Sequence, residues 1–168
     1  EYARALTDLA VSQSSLGDKA RARDAIDRAA AIMRTLPDDD ARQIGFRSRR
    51  AYLLDALGDA PAALAEYLAL ARTFEQRKTR SATRAIAIAN LAFQLQAAHR
   101  CPEALPILDR TIDDLRGSVS PMLLLFLETG RGTCRSETGA AELGLRDLEA
   151  ALAKVDLADL GPGDRGQI

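Results

Sequence analysis

Few residues in this 168-residue chain could carry out covalent or metal chemistry. The single histidine, His99, closes a predicted helix beside Arg100, and the sequence around it shows no catalytic constellation. One histidine and two distant thiols, Cys101 and Cys134, do not have the spacing of a zinc site. A polar turn residue is therefore the better interpretation of His99, and we predict no catalytic residue, no metal and no cofactor.

Two other polar clusters are compatible with ligand binding but have simpler explanations. Three consecutive acidic residues, 38–40, could attract a cation, yet neighbouring side chains cannot all point at one ion. We interpret them as a solvated loop that supplies a helix N-cap. The segment Gly130-Arg131-Gly132, followed by Gly139, has neither a preceding strand nor the spacing of a phosphate-binding loop. We interpret this segment as a frayed helix end.

Composition and charge exclude several classes of partner. The formal net charge is −1, so nothing global attracts the surface to nucleic acid or to an anionic membrane. The longest apolar run, 122–127, is far too short to span a bilayer. A chain of this length does not need a disulfide for stability, so we expect Cys101 and Cys134 to be free, structural thiols.

A repeat of 40–41 residues organises the chain. Small residues recur at that period in two series, one in each of two successive amphipathic helices. The first series consists of Ala10, Ala51, Ala92 and Gly132, and the second of Ala22, Ala63, Ala104 and Gly144. Turn signals separate the two series: Gly17, Gly58, His99 and Gly139. Each repeat therefore reads as helix A, a tight turn and helix B, with the small residues at the helix crossing.

The pattern predicts an all-α fold made of four antiparallel helical hairpins. The expected helices span about 2–16, 19–36, 41–57, 60–77, 82–99, 102–116, 121–135 and 139–155. Residues 1–155 form the predicted repeat domain. Residues 156–168 lose the pattern and contain three glycines and a proline, which predicts a tail or linker.

The first and third repeats resemble the tetratricopeptide repeat (TPR). The resemblance rests on Leu6, Leu9, Ala10, Leu16-Gly17-Asp18, Ala22, Ile26 and Ala29, and again on Leu91, Ala92, Leu95, Ala104 and Leu108. It covers about residues 2–155, and the long period is similar to that of bacterial regulators. The resemblance implies a right-handed α-solenoid that binds proteins or peptides and has no catalytic activity.

Several residues depart from the family pattern. Arg47 and Arg50 in the second repeat, and Arg131 and Arg135 in the fourth, stand where apolar residues are expected. Pro106 falls early in a B helix, which predicts a late start or a kink. Gly130, Gly132 and Gly139 are expected to loosen the last A helix.

The resemblance also implies where a partner binds, because A helices line the concave groove of a TPR stack. The residues predicted to face the groove are Ser48, Arg49, Tyr52 and Asp55 in the second repeat and Asn90, Phe93 and Gln96 in the third. For Tyr52 and Phe93, packing between repeats is the alternative. A basic loop from Arg77 to Arg84 is a second candidate site, for an acidic partner segment, with a solvated surface as its alternative.

We therefore expect a protein- or peptide-binding scaffold in the cytoplasm, as a module of a larger bacterial signalling protein. The first residue is Glu rather than Met, which is compatible with a fragment. The alternative is a self-association domain that dimerises through its end helices. Neither nucleic acid nor a membrane is an expected partner, and the sequence does not identify the protein that binds.

Overall fold

The structure is a computed structural model, and it describes residues 1–38 and 40–153. Over this part of the chain there are eight α-helices and no β-strand. They are α1 (Tyr2–Ser15), α2 (Lys19–Met33), α3 (Ala41–Ala56), α4 (Ala60–Arg77), α5 (Ala82–Ala97), α6 (Cys101–Leu115), α7 (Pro121–Glu137) and α8 (Ala141–Leu152). The predicted all-α class with four helical hairpins is confirmed.

Short polar residues and turn residues set the helix boundaries. The side chains of Asp18, Asp40, Ser81 and Ser120 each accept a hydrogen bond from a backbone N–H in the first turn of the helix that follows. The hairpin turns place Gly17, Gly58 and Gly139 at positive φ, the left-handed conformation that ends a helix. His99 occupies the same place in the third hairpin with φ 57°. Its role in the structure is therefore that of a turn residue.

The chain divides into two compact units, and each contains two hairpins. The first unit spans Glu1–Arg77 and comprises α1 to α4. The second begins at Lys78 and comprises α5 to α8. Within each unit every A helix packs against its own B helix, and the two A helices also pack against each other. The tail predicted for residues 156–168 lies outside the described residues.

Small residues lie at the crossings inside each hairpin, as the repeat predicts. Ala22, Ala63 and Ala104 are buried. Gly132 of α7 and Gly144 of α8 lie at a close crossing, because a Cβ on Gly132 would lie 2.9 Å from the carbonyl oxygen of Gly144. The helix α7 runs without interruption through Gly130 and Gly132, so the expected loosening is wrong. These glycines permit close packing of backbone against backbone.

The arginines that depart from the family pattern form ion pairs with acidic residues of the helices that pack against their own. Arg47 and Arg50 of α3 both donate hydrogen bonds to the carboxylate of Glu66 on α4. In the fourth repeat, Arg131 and Arg135 bind Asp147 of α8 and also Asp109 of α6. All of these arginine side chains are less than a third exposed, so the acidic partners offset the cost of burying them. These ion pairs stand where the family pattern has apolar contacts between the helices.

Two further expectations about the third hairpin need correction. The helix α6 begins at Cys101 and continues through Pro106, so the predicted late start is wrong. The two cysteines are not free, because Cys101 and Cys134 form a disulfide with a Cα–Cα distance of 5.0 Å. The disulfide joins the start of α6 to α7, which pack against each other in the second unit. This helix packing, which sequence spacing alone does not reveal, brings the thiols together.

Candidate functional site

The predicted groove residues of the first unit lie on α3. Arg49 and Tyr52 are exposed, with 58% of Tyr52 accessible to solvent, and Asp55 is partly exposed. Ser48 is buried, at 9% exposure, so its side chain contributes little to an exposed surface. Arg49 Nη1 donates a hydrogen bond to Asp8 Oδ1 at 2.7 Å, which links α3 to α1 across the exposed face of the two A helices.

The predicted groove residues of the second unit lie on α5. Phe93 is 64% exposed, while Asn90 and Gln96 are partly exposed. Gln96 Nε2 donates a hydrogen bond to Glu137 Oε1 of α7 at 2.8 Å. Each unit thus has a polar link between its A helices, and an exposed aromatic residue, Tyr52 or Phe93, lies one turn along the helix from it. Exposed aromatic side chains of this kind are common anchors of protein interfaces.

Two exposed apolar residues on the same face of the second unit were not among the predicted site residues. Ile86 lies seven residues before Phe93 on α5, two turns away on the same side of the helix. Phe126 of α7 stands one repeat after Ile86, as Gly132 stands one repeat after Ala92. The repeat alignment contains this signal, since equivalent positions on neighbouring A helices face the same way.

A cavity of about 410 Å³ opens between α1 and α3 in the first unit. Its apolar part is formed by Ala3, Met33, Gly45 and Phe46. Its polar part is formed by Arg4, Arg42, Arg49, Glu1 and Thr7. Of the predicted site residues, only Arg49 lines this cavity.

Exposed ion pairs surround the cavity. Arg42 donates hydrogen bonds through Nε and Nη2 to Asp40, the N-cap residue of α3. The Arg42 side-chain hydrogen bond lowers the pKa of the Asp40 carboxyl from 3.8 to about 2. Arg4 makes no hydrogen bond or ion pair with any described residue. The cavity therefore has guanidinium groups at its rim and an apolar interior.

One arginine of the basic loop predicted as a second site, Arg84, stabilises the fold. Arg84 is only 4% exposed, and its guanidinium donates hydrogen bonds to Asp114 and to the carbonyl oxygen of Thr79. Both contacts fix α5 within the second unit. Arg84 is therefore unavailable to a partner, and the exposed basic residues of this loop include Lys78 and Arg80.

The described residues contain no group of three or more His, Cys, Asp and Glu side chains placed to hold a metal ion. Within the same residues, no helix combines the length and the apolar character that crossing a membrane requires.

Comparison with known proteins identifies the fold. No protein-family model matches the sequence, and a search of curated proteins finds no match either. One similar solved structure is a Podosopora anserina protein described as a kinesin light chain with nearly identical TPR-like repeats. Its sequence is 18% identical, its TM-score is 0.76, and the match covers 95% of this chain and 77% of that one. A single-substitution variant of the same protein matches at 17% identity, with a TM-score of 0.78, over 91% and 76%.

At these identities the likeness establishes the fold alone. This chain has the fold of TPR-like repeat proteins, as the sequence resemblance implies. The long-period bacterial type stays a prediction.

Proposed function

We propose that this chain is a protein- or peptide-binding scaffold whose A helices carry the binding surface. The observation that supports this proposal is the exposure of Tyr52 and Phe93, each beside a polar link between A helices. An isolated globular domain gains nothing from leaving large aromatic side chains in water. In a complex, desolvating such side chains commonly dominates the binding energy. Arg49, Asp55, Asn90 and Gln96 would supply the polar contacts around them.

Site-specific photo-cross-linking tests this proposal. A photoreactive residue is placed at position 52 or 93 of the full chain, and matched controls carry it at the exposed B-helix positions Ala65 and Asp113. The proposal predicts one protein partner that cross-links from 52 or 93 and not from the controls. Equal cross-linking from all four positions would indicate nonspecific capture and would contradict it.

Once a partner is captured, two substitutions separate binding from packing. We expect Phe93→Ala and Asn90→Ala each to weaken the affinity by about 1–2 kcal/mol while the melting temperature stays unchanged. If Phe93 instead served to pack the domain, Phe93→Ala would lower the melting temperature and leave the affinity of the folded fraction unchanged. Measuring both quantities on the same variants decides between the two.

Self-association through the last helix is the alternative function, and a separate observation favours it. Leu143, Leu145 and Leu152 of α8 are all more than half exposed. Several exposed leucines on one helix offer apolar area to a second copy of the chain. Light scattering over a range of concentrations tests this alternative. If α8 pairs with a second copy, Leu145→Glu lowers the molar mass at high concentration, whereas the control Leu16→Glu, at another exposed leucine, does not.

The cellular setting is a further part of the proposal. The sequence resemblance supports a module of a larger bacterial signalling protein, and the balanced charge supports a protein partner over nucleic acid. The Cys101–Cys134 disulfide supports an oxidising compartment rather than the cytoplasm expected from the sequence, since disulfides persist mainly in such compartments. Trapping free thiols in intact cells tests the location, because an oxidised pair stays unmodified.

A further inference from the structure

A glycine of α3 lines the cavity of the first unit. Gly45 of α3 stands at the repeat position that Ile86 occupies in α5 and Phe126 in α7. Neither steric crowding nor a positive φ requires glycine here, because a Cβ at this position would meet nothing within 4 Å. Glycine inside a helix costs roughly 0.5–1 kcal/mol relative to alanine. What Gly45 supplies is an open space where α5 and α7 present a large apolar side chain.

The space is apolar inside and positively charged at its rim. Ala3, Met33 and Phe46 line the interior, and 410 Å³ is enough for a large aliphatic or aromatic side chain. Arg4 and Arg42 stand at the rim beside Arg49, and Glu1 is the only acidic residue that lines the cavity. A ligand that fits both features has carboxylates on either side of an apolar group.

The guanidinium groups are available to such a ligand. Arg4 has no partner among the described residues. Arg49 is paired with Asp8 through Nη1, and both side chains are more than half exposed. Arg42, which binds Asp40, is also largely exposed. The exposed Arg49–Asp8 pair contributes little to stability, so Arg49 can rearrange at little cost. Arg42 keeps its two hydrogen bonds to Asp40. A guanidinium retains further N–H donors for a second carboxylate.

We propose that this cavity, the Gly45 pocket, binds an acidic protein segment that carries one large apolar side chain. The apolar side chain sits over Gly45, and acidic residues next to it pair with Arg4, Arg42 and Arg49. The inference rests on the proposed scaffold function and specifies the chemistry of the partner segment. It requires no free peptide terminus, because the carboxylates come from side chains.

A defined peptide tests the pocket in the full chain. The probe is a fluorescein-labelled, C-terminally amidated Asp-Glu-Leu-Asp-Glu, measured by fluorescence anisotropy. Matched peptides replace the leucine by alanine, or the four acids by their amides. We expect each change to weaken binding by about tenfold, and the affinity for the parent peptide to fall as salt rises. The absence of saturable binding up to about 1 mM of parent peptide would overturn the inference.

Substitutions in the pocket provide a second test of the inference. Gly45→Ile introduces at position 45 the side chain that α5 carries at Ile86, and it should fill the cavity. We expect this variant to lose binding while its melting temperature is unchanged or raised. Arg4→Gln is expected to weaken binding by about threefold to tenfold, while Arg21→Gln, an exposed arginine outside the pocket, has no effect. If Gly45→Ile fails to fold, the Arg4 and Arg21 pair still decides. Unchanged binding in both Gly45→Ile and Arg4→Gln would overturn the inference.

A single-stranded oligothymidine of similar charge distinguishes the other class of acidic ligand. Binding as tight as that of the parent peptide would show a phosphate-binding surface and overturn the inference. Failure of the Gly45 pocket can be distinguished from failure of the proposed scaffold function. A partner that cross-links from positions 52 or 93, together with no binding of the acidic peptide, leaves the scaffold function standing and removes only the Gly45 pocket.

Discussion

Adding a single methyl group at Gly132 tests the close crossing of α7 and α8 in the second unit. A Cβ there would lie 2.9 Å from the carbonyl oxygen of Gly144 and 2.9 Å from Cγ of Leu148. The oxygen belongs to the backbone of α8, so the contact is relieved only if the two helices move apart. Overpacking of this kind costs about 1–3 kcal/mol. Alanine regains roughly 0.5–1 kcal/mol of helix propensity, which leaves a net loss of about 1–2 kcal/mol.

The matched control lies two residues away on the same helix. A Cβ on Gly130 would contact Ala92 Cβ at 3.4 Å, an ordinary van der Waals distance. Gly130→Ala should therefore gain roughly 0.5–1 kcal/mol from propensity alone. The two variants should differ by about 2 kcal/mol in opposite directions, or roughly 8–16 °C in melting temperature for a unit of this size. Circular dichroism and urea titration measure both. Equal melting temperatures for Gly132→Ala and Gly130→Ala would refute the close approach of α7 and α8.

Three further predictions concern the disulfide and the ion pairs. Reducing the disulfide Cys101–Cys134, which closes a loop of 33 residues, should lower the unfolding free energy of the second unit by about 3.7 kcal/mol; a Cys101→Ala/Cys134→Ala variant should show no response to reductant. Glu66→Gln leaves two largely buried guanidiniums facing each other and should cost about 2–4 kcal/mol in urea unfolding. Replacing Glu66 and both its arginine partners by the apolar residues of the third repeat should recover most of that loss, and no recovery would show that charge is not the cause. Asp40 should titrate near pKa 2 by carboxyl NMR and return towards 3.8 in Arg42→Ala. Because its folded pKa is lowered, its contribution to stability is complete above pH 3.8 and is lost as the pH falls towards 2.

The repeat pattern predicted the local structure well because local structure depends on residues close together in the chain. Capping residues such as Asp40 and Ser120 and turn residues such as Gly58 act within one helical turn. Seven of the eight helices, for that reason, begin within one residue of the predicted position. The helix α2 ends at Met33 rather than near residue 36, because the segment after it turns, with Leu36 N–H donating to the carbonyl oxygen of Met33.

The candidate site was predicted only in part. Period and helix face were enough to predict that Tyr52 and Phe93 lie off the core side of their A helices, and both are exposed. Their place in a binding site stays a prediction. The burial of Ser48 was not visible, because it depends on how closely the neighbouring helices approach. The Gly45 pocket was also missed: a glycine in a helix has no signature in a hydrophobic pattern, and its effect is a space shared by α1, α2 and α3.

Taken alone, the sequence determines an all-helical chain of four hairpins, because the amphipathic period, the helix caps and the turns each depend on residues that are close together in the chain. Contacts between helices decide the rest. The arginines at apolar positions of the pattern contact Glu66 and Asp147 only when the two helices of each hairpin pack together. Cys101 comes within bonding distance of Cys134 only when α6 packs against α7. Residues 12 to 33 positions apart are brought within bonding distance by helix packing, and spacing along the chain does not reveal which of them meet.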